Sequence, residues 1–75
     1  MRVLSDMDEG KRVRVLEIPG GKGARQHLSA YGIHLGDILL IKRQSAWGGP
    51  ILIEVHGSEV ALGRGIASRV QVEEL

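Results

Sequence analysis

The fold of this chain is decided by Leu28-Ser29-Ala30-Tyr31-Gly32-Ile33-His34-Leu35-Gly36-Asp37. Ala24, Leu28 and Tyr31 recur at helical spacing, and a glycine at 32 stands where a helix ends in the left-handed conformation. The following Gly36-Asp37 turns the chain into an apolar run with the length of a strand. We therefore predict a short helix from about Ala24 to Tyr31, and then a strand from Asp37 to about Gln44.

Outward from this stretch, short apolar runs alternate with polar residues as half-buried strands do. We predict further strands at Lys11–Ile18, Ile51–His56, Glu59–Leu62 and Arg69–Glu73. The residues expected to face the core are Val13, Val15, Ile51, Ile53, Val55, Val70 and Val72. Closure of such strands removes exposed edges, so the predicted fold is mainly β, a small SH3-like barrel of about five strands with one short inserted helix.

The segments between these predicted strands also have recognisable sequence patterns. Ser5-Asp6-Met7-Asp8 has the spacing of a capping box, which predicts one helical turn before Gly10. Ser45-Ala46-Trp47-Gly48-Gly49-Pro50 is expected to be a loop, Gly57-Ser58 a two-residue reversal, and Ile66-Ala67-Ser68 another brief turn.

Length and composition narrow the class of protein. A chain of 75 residues has room for one domain, spanning 1–75, and its lack of cysteine suits a reducing cytoplasm. Ten basic residues against nine acidic ones leave a formal net charge of +1, without the basic excess of proteins that bind nucleic acid. No apolar run approaches the roughly 20 residues that cross a bilayer, so we expect contact with a membrane only through a partner.

The order of these features resembles the FeoA family of small cytoplasmic proteins. The resemblance spans about Val3 to Glu73. It is carried by Leu28-x-x-x-Gly32-Ile33-x-x-Gly36, Gly49-Pro50-Ile51, Gly57, Ala61-Leu62 and Ala67-x-x-Val70-x-Val72. The resemblance implies an SH3-like barrel that acts beside the FeoB membrane transporter in ferrous iron uptake. The resemblance extends to the iron-dependent repressors, whose C-terminal domain is of the same type.

Two positions depart from the family pattern. His27 stands where an arginine commonly precedes the helix leucine, and the nearest arginine is Arg25. Leu62-Gly63-Arg64-Gly65 replaces a Leu-Arg pair, which displaces the charge and loosens the turn.

A metal site is the first chemical hypothesis. His56 and Glu54 share a strand face in the predicted register and could place an imidazole beside a carboxylate, with Fe²⁺ or Zn²⁺ as the candidate ion. Two ligands are too few for a closed site, while His27 and His34 have no local partner spacing, so no required cofactor is expected. Gly20-Gly21-Lys22-Gly23 resembles a phosphate-binding loop but lacks the Walker spacing, and a mobile loop is the simpler interpretation.

Catalysis has less support than binding. Ser29 and Ser45 have no recognisable histidine-carboxylate setting in the sequence, and we expect a non-enzyme. Trp47 is either a partner anchor or a cover for one edge of the core, and Tyr31 is expected in the core with its hydroxyl at the rim.

The leading hypothesis is an adaptor that contacts the cytosolic region of FeoB, with self-association left open. The candidate contact residues are Arg25, Leu28, Tyr31, Trp47 and Arg64. The alternative is a metal-sensing module related to the repressor domain; as an operator-linked module it would need a helix-turn-helix, for which we expect no room in this chain.

Overall fold

The computed structural model describes residues 2–45 and 47–75. Ala46, which belongs to the predicted loop before Pro50, therefore lies outside the described residues, as does Met1. The elements in chain order are β1 (Arg2–Val3), a 3₁₀ helix (Leu4–Asp6), β2 (Arg12–Glu17), α1 (Gly21–Ser29), β3 (Ile38–Arg43), β4 (Ile51–Val55), β5 (Ser58–Leu62), α2 (Arg64–Ala67) and β6 (Gln71–Glu74). Within the described chain, neither helix has the length or apolar character needed to cross a membrane.

The strands form one antiparallel sheet of six strands in the order β1-β6-β2-β3-β4-β5. The register shifts between Val15 and Glu17 and again between Ile41 and Arg43, as β-bulges do where a sheet bends. The pairing observed for the described residues leaves β1 and β5 as separate edges, so hydrogen bonds do not close the sheet. The prediction of a mainly β fold is confirmed, but it missed β1, whose two residues are too few to show an alternating pattern.

The core is built from the strand faces that the alternation indicated. Val13 and Val15 are buried on β2, and Ile51, Ile53 and Val55 are buried on β4, as predicted. Val70 and Val72 close the interior from the other side. No polar or charged residue is buried within the described chain, so apolar packing stabilises the domain.

Helix α1 ends as the sequence indicates but begins earlier. Gly32 has a φ of +80°, and its N–H donates to the Ser29 carbonyl while the Ile33 N–H donates to the Leu28 carbonyl. This is the Schellman arrangement, which needs a residue free of the Cβ penalty at position 32. At the other end Gly20 is the N-cap, so Gly21-Lys22-Gly23 forms the first helical turn. The prediction of a mobile loop there is wrong, because packing of the helix overrides the low helix propensity of glycine.

Three smaller predictions are also corrected. Ser5 lies inside the 3₁₀ helix and Val3 is its N-cap without a side-chain hydrogen bond, so no capping box forms. The β4–β5 reversal is centred on His56 and Gly57, both with positive φ, one residue earlier than expected. The turn predicted around Ile66 is the short helix α2, which gives the chain a second α-helix.

Candidate functional site

A groove separates α1 from α2 and from the residues that precede β6. Its volume is about 260 Å³. Apolar and polar side chains both line it, namely Ile18, Leu28, Ile66 and Val70 together with His27 and Arg69. Because Ile18, Leu28 and Val70 are buried core residues, they form the floor, and the partly buried Ile66 forms part of a wall. We call this feature the α1–α2 groove.

Among the described residues, one cation, Arg69, lines the α1–α2 groove, and no acidic residue does. Lys22 and Arg25 lie on α1 outside this lining, and Arg25 lines a separate pocket with Ile33 and Leu35. Arg69 forms no ion pair with another described residue. Its guanidinium is therefore available to an acidic group of a partner.

The predicted contact residues in and after α1 differ in how exposed they are. Arg25 is exposed, as a docking residue must be. Leu28 is only 2% exposed and contributes to the groove floor, so it is reached from outside only through the groove. Tyr31 is 44% exposed, so the expectation that it lies in the core is wrong. It follows the end of α1, and its ring lies 5.7 Å from the His27 ring.

The structure excludes one of the two roles considered for Trp47, that of covering one edge of the core. Its side chain is 95% exposed, so it does not cover the core. The Trp47 backbone N–H donates to Ser45 Oγ at 3.4 Å, which is a weak local contact. The position of Trp47 is that of a side chain presented to solvent at the β3–β4 connection.

Arg64 acts inside the chain. Its Nη2 donates to Gln44 Oε1 at 3.0 Å and to the Ser45 carbonyl at 3.1 Å, and its Nη1 lies 3.5 Å from the Ser5 carbonyl. Gln44 in turn donates from Nε2 to the Met7 carbonyl at 2.6 Å. Its guanidinium ties α2 to the base of the Trp47 connection, and its role as a partner-contact residue stays a prediction.

The predicted pairing of His56 with Glu54 does not form. His56 lies in the β4–β5 turn, with a φ of +51°, and its Nε2 is 3.1 Å from Asp37 Oδ1. Glu54 lies instead 3.7 Å from Lys42 Nζ. Among residues 2–45 and 47–75, no three His, Asp or Glu side chains are grouped so that they could hold a metal ion.

Asp37 is the centre of a cluster that the sequence did not reveal. Its Oδ2 accepts the His34 backbone N–H at 2.8 Å and lies 3.3 Å from His34 Nδ1. Burial by itself raises the pKa of the Asp37 carboxyl. The hydrogen bonds from the His34 backbone and from the His56 and His34 rings act in the opposite direction, and the pKa is held below its usual value. The only sequence signal for this cluster was the Gly36-Asp37 turn.

Ser29 also joins this cluster. Its Oγ lies 3.0 Å from His34 Nε2, so Ser29, His34 and Asp37 form a continuous chain of polar contacts. The expectation that Ser29 has no histidine-carboxylate setting is therefore wrong. The Ala30 and Tyr31 N–H groups beside it donate to the Gln26 and Leu28 carbonyls, so neither is free to stabilise an oxyanion. The contacts fix the end of α1 against the start of β3.

The sheet order, the bulges and the short helices define a class of small SH3-like domain. A crystal structure of an iron uptake regulatory protein, FeoA, superposes with a TM-score of 0.91 and 38% identity, over 99% of this chain and 97% of that one. A manganese-dependent transcriptional repressor has the same fold in part of its chain, with a TM-score of 0.87 and 23% identity over 99% of this chain and 41% of that one. The predicted SH3-like architecture is confirmed.

Sequence relatives narrow this class to one family. A protein of Methanocaldococcus jannaschii named as a candidate Fe(2+) transport protein A is 39% identical over 74 residues, which cover 99% of this chain and 88% of that protein. The family model of the FeoA domain matches residues 2–74. The chain belongs to the FeoA family, as the resemblance indicated.

Proposed function

We propose that this chain is a cytoplasmic accessory protein of ferrous iron uptake that acts by binding the cytosolic region of the FeoB transporter, without catalysis and without a required metal cofactor. The family membership supports a role in ferrous iron transport. The observation that supports the contact is the α1–α2 groove, an apolar cleft lined by Arg69 and by no acidic residue of the described chain. We assign the groove to an apolar anchor of the partner, and Arg69 to an acidic group beside that anchor.

The groove suits this task because its floor is preformed. Leu28 and Val70 are core residues that stay in place without a partner, so little side-chain freedom is lost when an apolar group enters. The exposed Arg69 contributes mainly to encounter rate and to selection of the partner. Of the predicted contact set, Leu28 lines this groove as part of its floor, and Arg25 and Tyr31 lie outside its lining.

A pull-down with the purified cytosolic region of FeoB tests the proposal. The variant Arg69→Glu reverses the charge that lines the groove, and Ile66→Asp places a carboxylate in its wall. We expect both to reduce capture by about tenfold, because the first repels acidic groups and the second removes apolar contact.

The control is Arg43→Glu, which reverses an exposed cation on β3 that is in no ion pair with another described residue. Capture should be retained in this variant. Equal capture of all variants and the parent chain would reject the groove as the docking site, provided that circular dichroism shows each variant folded.

We do not extend the proposal to metal sensing. The likeness to manganese-dependent repressors shows the fold alone, since the identity is 23%. Fe²⁺ and Zn²⁺ therefore stay as candidate ions to be tested by equilibrium dialysis.

A further inference from the structure

Strand β5 forms one edge of the sheet, since β4 is the one strand with which it pairs among the described residues. β5 has five residues, whereas β1 at the other edge has two. An edge strand of this length exposes a row of backbone N–H and C=O groups with which another strand can pair. We call this feature the β5 edge.

The β4–β5 turn shows which backbone groups point outward from the β5 edge. His56 and Gly57 have φ of +51° and +80°, as the two central residues of a type I′ hairpin turn do. The residues that flank such a turn, Val55 and Ser58, form a hydrogen-bonded pair, and bonded and non-bonded pairs alternate from there along the ladder. Every second residue of β5 therefore turns its backbone N–H and C=O away from β4.

The two outward-facing residues are Glu59 and Ala61. They lie opposite Glu54 and Leu52, which are the non-hydrogen-bonded positions of the ladder. Neither Glu59 nor Ala61 has a backbone hydrogen bond to another part of the described chain. Two N–H donors and two C=O acceptors are therefore open to a partner strand.

The β5 edge lacks the features that usually protect an edge strand. It contains no proline and no lysine, and its register with β4 runs without a shift from one end to the other. The β2–β6 and β3–β4 ladders, in contrast, contain irregularities of register. The charged side chain of β5 is Glu59, 3.8 Å from Lys42 of its own chain. The edge is therefore regular enough to continue the sheet into another strand.

We infer that the β5 edge pairs antiparallel with the β5 edge of a second copy of this chain, about a two-fold axis at Val60. In this register Glu59 of each copy lies opposite Ala61 of the other, so the outward-facing N–H and C=O groups of both copies are all paired. Val60 packs partly against the core and would meet the second copy's Val60 where facing side chains are closest. A pair of β-branched residues is favourable at such a position.

Charge and hydrogen bonding select this register over its neighbours. A two-fold axis at Glu59 would place two carboxylates directly opposite each other, which is unfavourable. An axis at Ala61 would require the Gly63 carbonyl, which already accepts the Ala67 N–H of α2. With the axis at Val60, each Glu59 faces a neutral alanine. A second copy therefore matches the β5 edge both in its hydrogen bonds and in its charge.

The inference does not depend on the proposed contact with FeoB, since no residue of β5 lines the α1–α2 groove. Two short strands bury little surface, so we expect a reversible dimer with a dissociation constant of about 0.1–1 mM.

Two measurements on the intact chain test the inference. Sedimentation equilibrium from micromolar to millimolar concentration should show a monomer passing into a dimer. Amide hydrogen exchange over the same range locates the interface, and the Glu59 and Ala61 amides should exchange about threefold more slowly at the highest concentration. The Val60 amide faces β4 and is the internal control, since it should be protected at every concentration.

Charge variants at position 61 test the register. Ala61→Lys places an ammonium opposite the second copy's Glu59 at two symmetric positions, so it should tighten the dimer by about fivefold. Ala61→Glu places a carboxylate there and should weaken the dimer by about fivefold. Ala30→Lys and Ala30→Glu are the matched controls, because they change the net charge equally at another exposed alanine, and the dissociation constant should stay the same. Circular dichroism checks that each variant is folded.

Any of three results would overturn the inference. One is a chain that stays monomeric at millimolar concentration. Another is a dimer in which the Glu59 and Ala61 amides exchange as fast as they do in the monomer. The third is an equal dissociation constant for Ala61→Lys and Ala61→Glu.

Discussion

The Asp37 carboxylate lies 3.1 Å from His56 Nε2 and so joins the start of β3 to the β4–β5 turn. The same carboxylate accepts the His34 backbone N–H, which belongs to the loop that follows α1. Its side chain is only 17% exposed, so these contacts are partly shielded from water. One acidic residue therefore joins two connections of the fold, the α1–β3 loop and the β4–β5 turn.

Asp37→Asn should lower the free energy of unfolding at neutral pH by about 1–2 kcal/mol, because hydrogen bonds to a charged acceptor are lost. The effect depends on pH, because the folded-state pKa of Asp37 lies below its reference value of 3.8. The stabilisation is complete above pH 3.8 and is lost as the pH falls through the folded-state pKa. Urea unfolding of the parent chain and of Asp37→Asn, from neutral to acidic pH, measures the difference in their free energies of unfolding.

Glu59→Gln serves as the control for this series, since Glu59 is exposed and its contact with Lys42 is long, at 3.8 Å. Its stability should stay near that of the parent chain. A difference between the parent and Asp37→Asn that persisted unchanged into strong acid would contradict the assigned contacts.

Two glycines of the α1 region should respond in opposite directions to alanine. Gly32 has a φ of +80°, where a Cβ is strained, so Gly32→Ala should destabilise the chain by about 1–2 kcal/mol. Gly23 lies inside α1 and a Cβ there meets nothing within 4 Å, so Gly23→Ala should stabilise by about 0.5–1 kcal/mol. Thermal unfolding of the pair measures both signs. A stabilised Gly32→Ala variant would be incompatible with the Schellman arrangement at the end of α1.

Arg64→Met should loosen the Trp47 connection. The variant keeps an unbranched side chain but loses the donors to Gln44 and Ser45, which we expect to cost about 1–3 kcal/mol. Hydrogen exchange at the amides of Trp47 and Gly48 should become faster than in the parent chain. Arg43→Met is the matched control on exposed β3 surface, and equal protection in the two variants would show that Arg64 does not tether this connection.

The strand faces were predictable because their physics is local. Val13 and Val15 alternate with arginines, and one period of two residues fixes which side is buried. The end of α1 was predictable for the same reason, since a glycine that permits positive φ marks it. The start of α1 was not, because its first turn is glycine-rich and the packing that holds the helix comes from Ala24 and Leu28 further along.

The candidate site was predictable only in part. Arg25 and Trp47 were named as candidate contact residues from their types and positions, and both are exposed. The intramolecular roles of Arg64 and Leu28 could not be read from the sequence, since they depend on Gln44 and on the core, which are distant along the chain. The Asp37 cluster combines a loop residue with a hairpin turn, and the hairpin register that brings His56 there differs by one residue from the predicted one.

The most direct test of the central claim, that the α1–α2 groove docks the transporter, is an amide NMR titration of the labelled chain with the cytosolic region of FeoB. If the groove is the docking site, we expect amide chemical-shift changes or line broadening concentrated in α1, at Ile66 and at Arg69, with the β3–β4–β5 face unchanged. Changes confined to other surfaces, or no change at saturating concentrations of the transporter region, would contradict it.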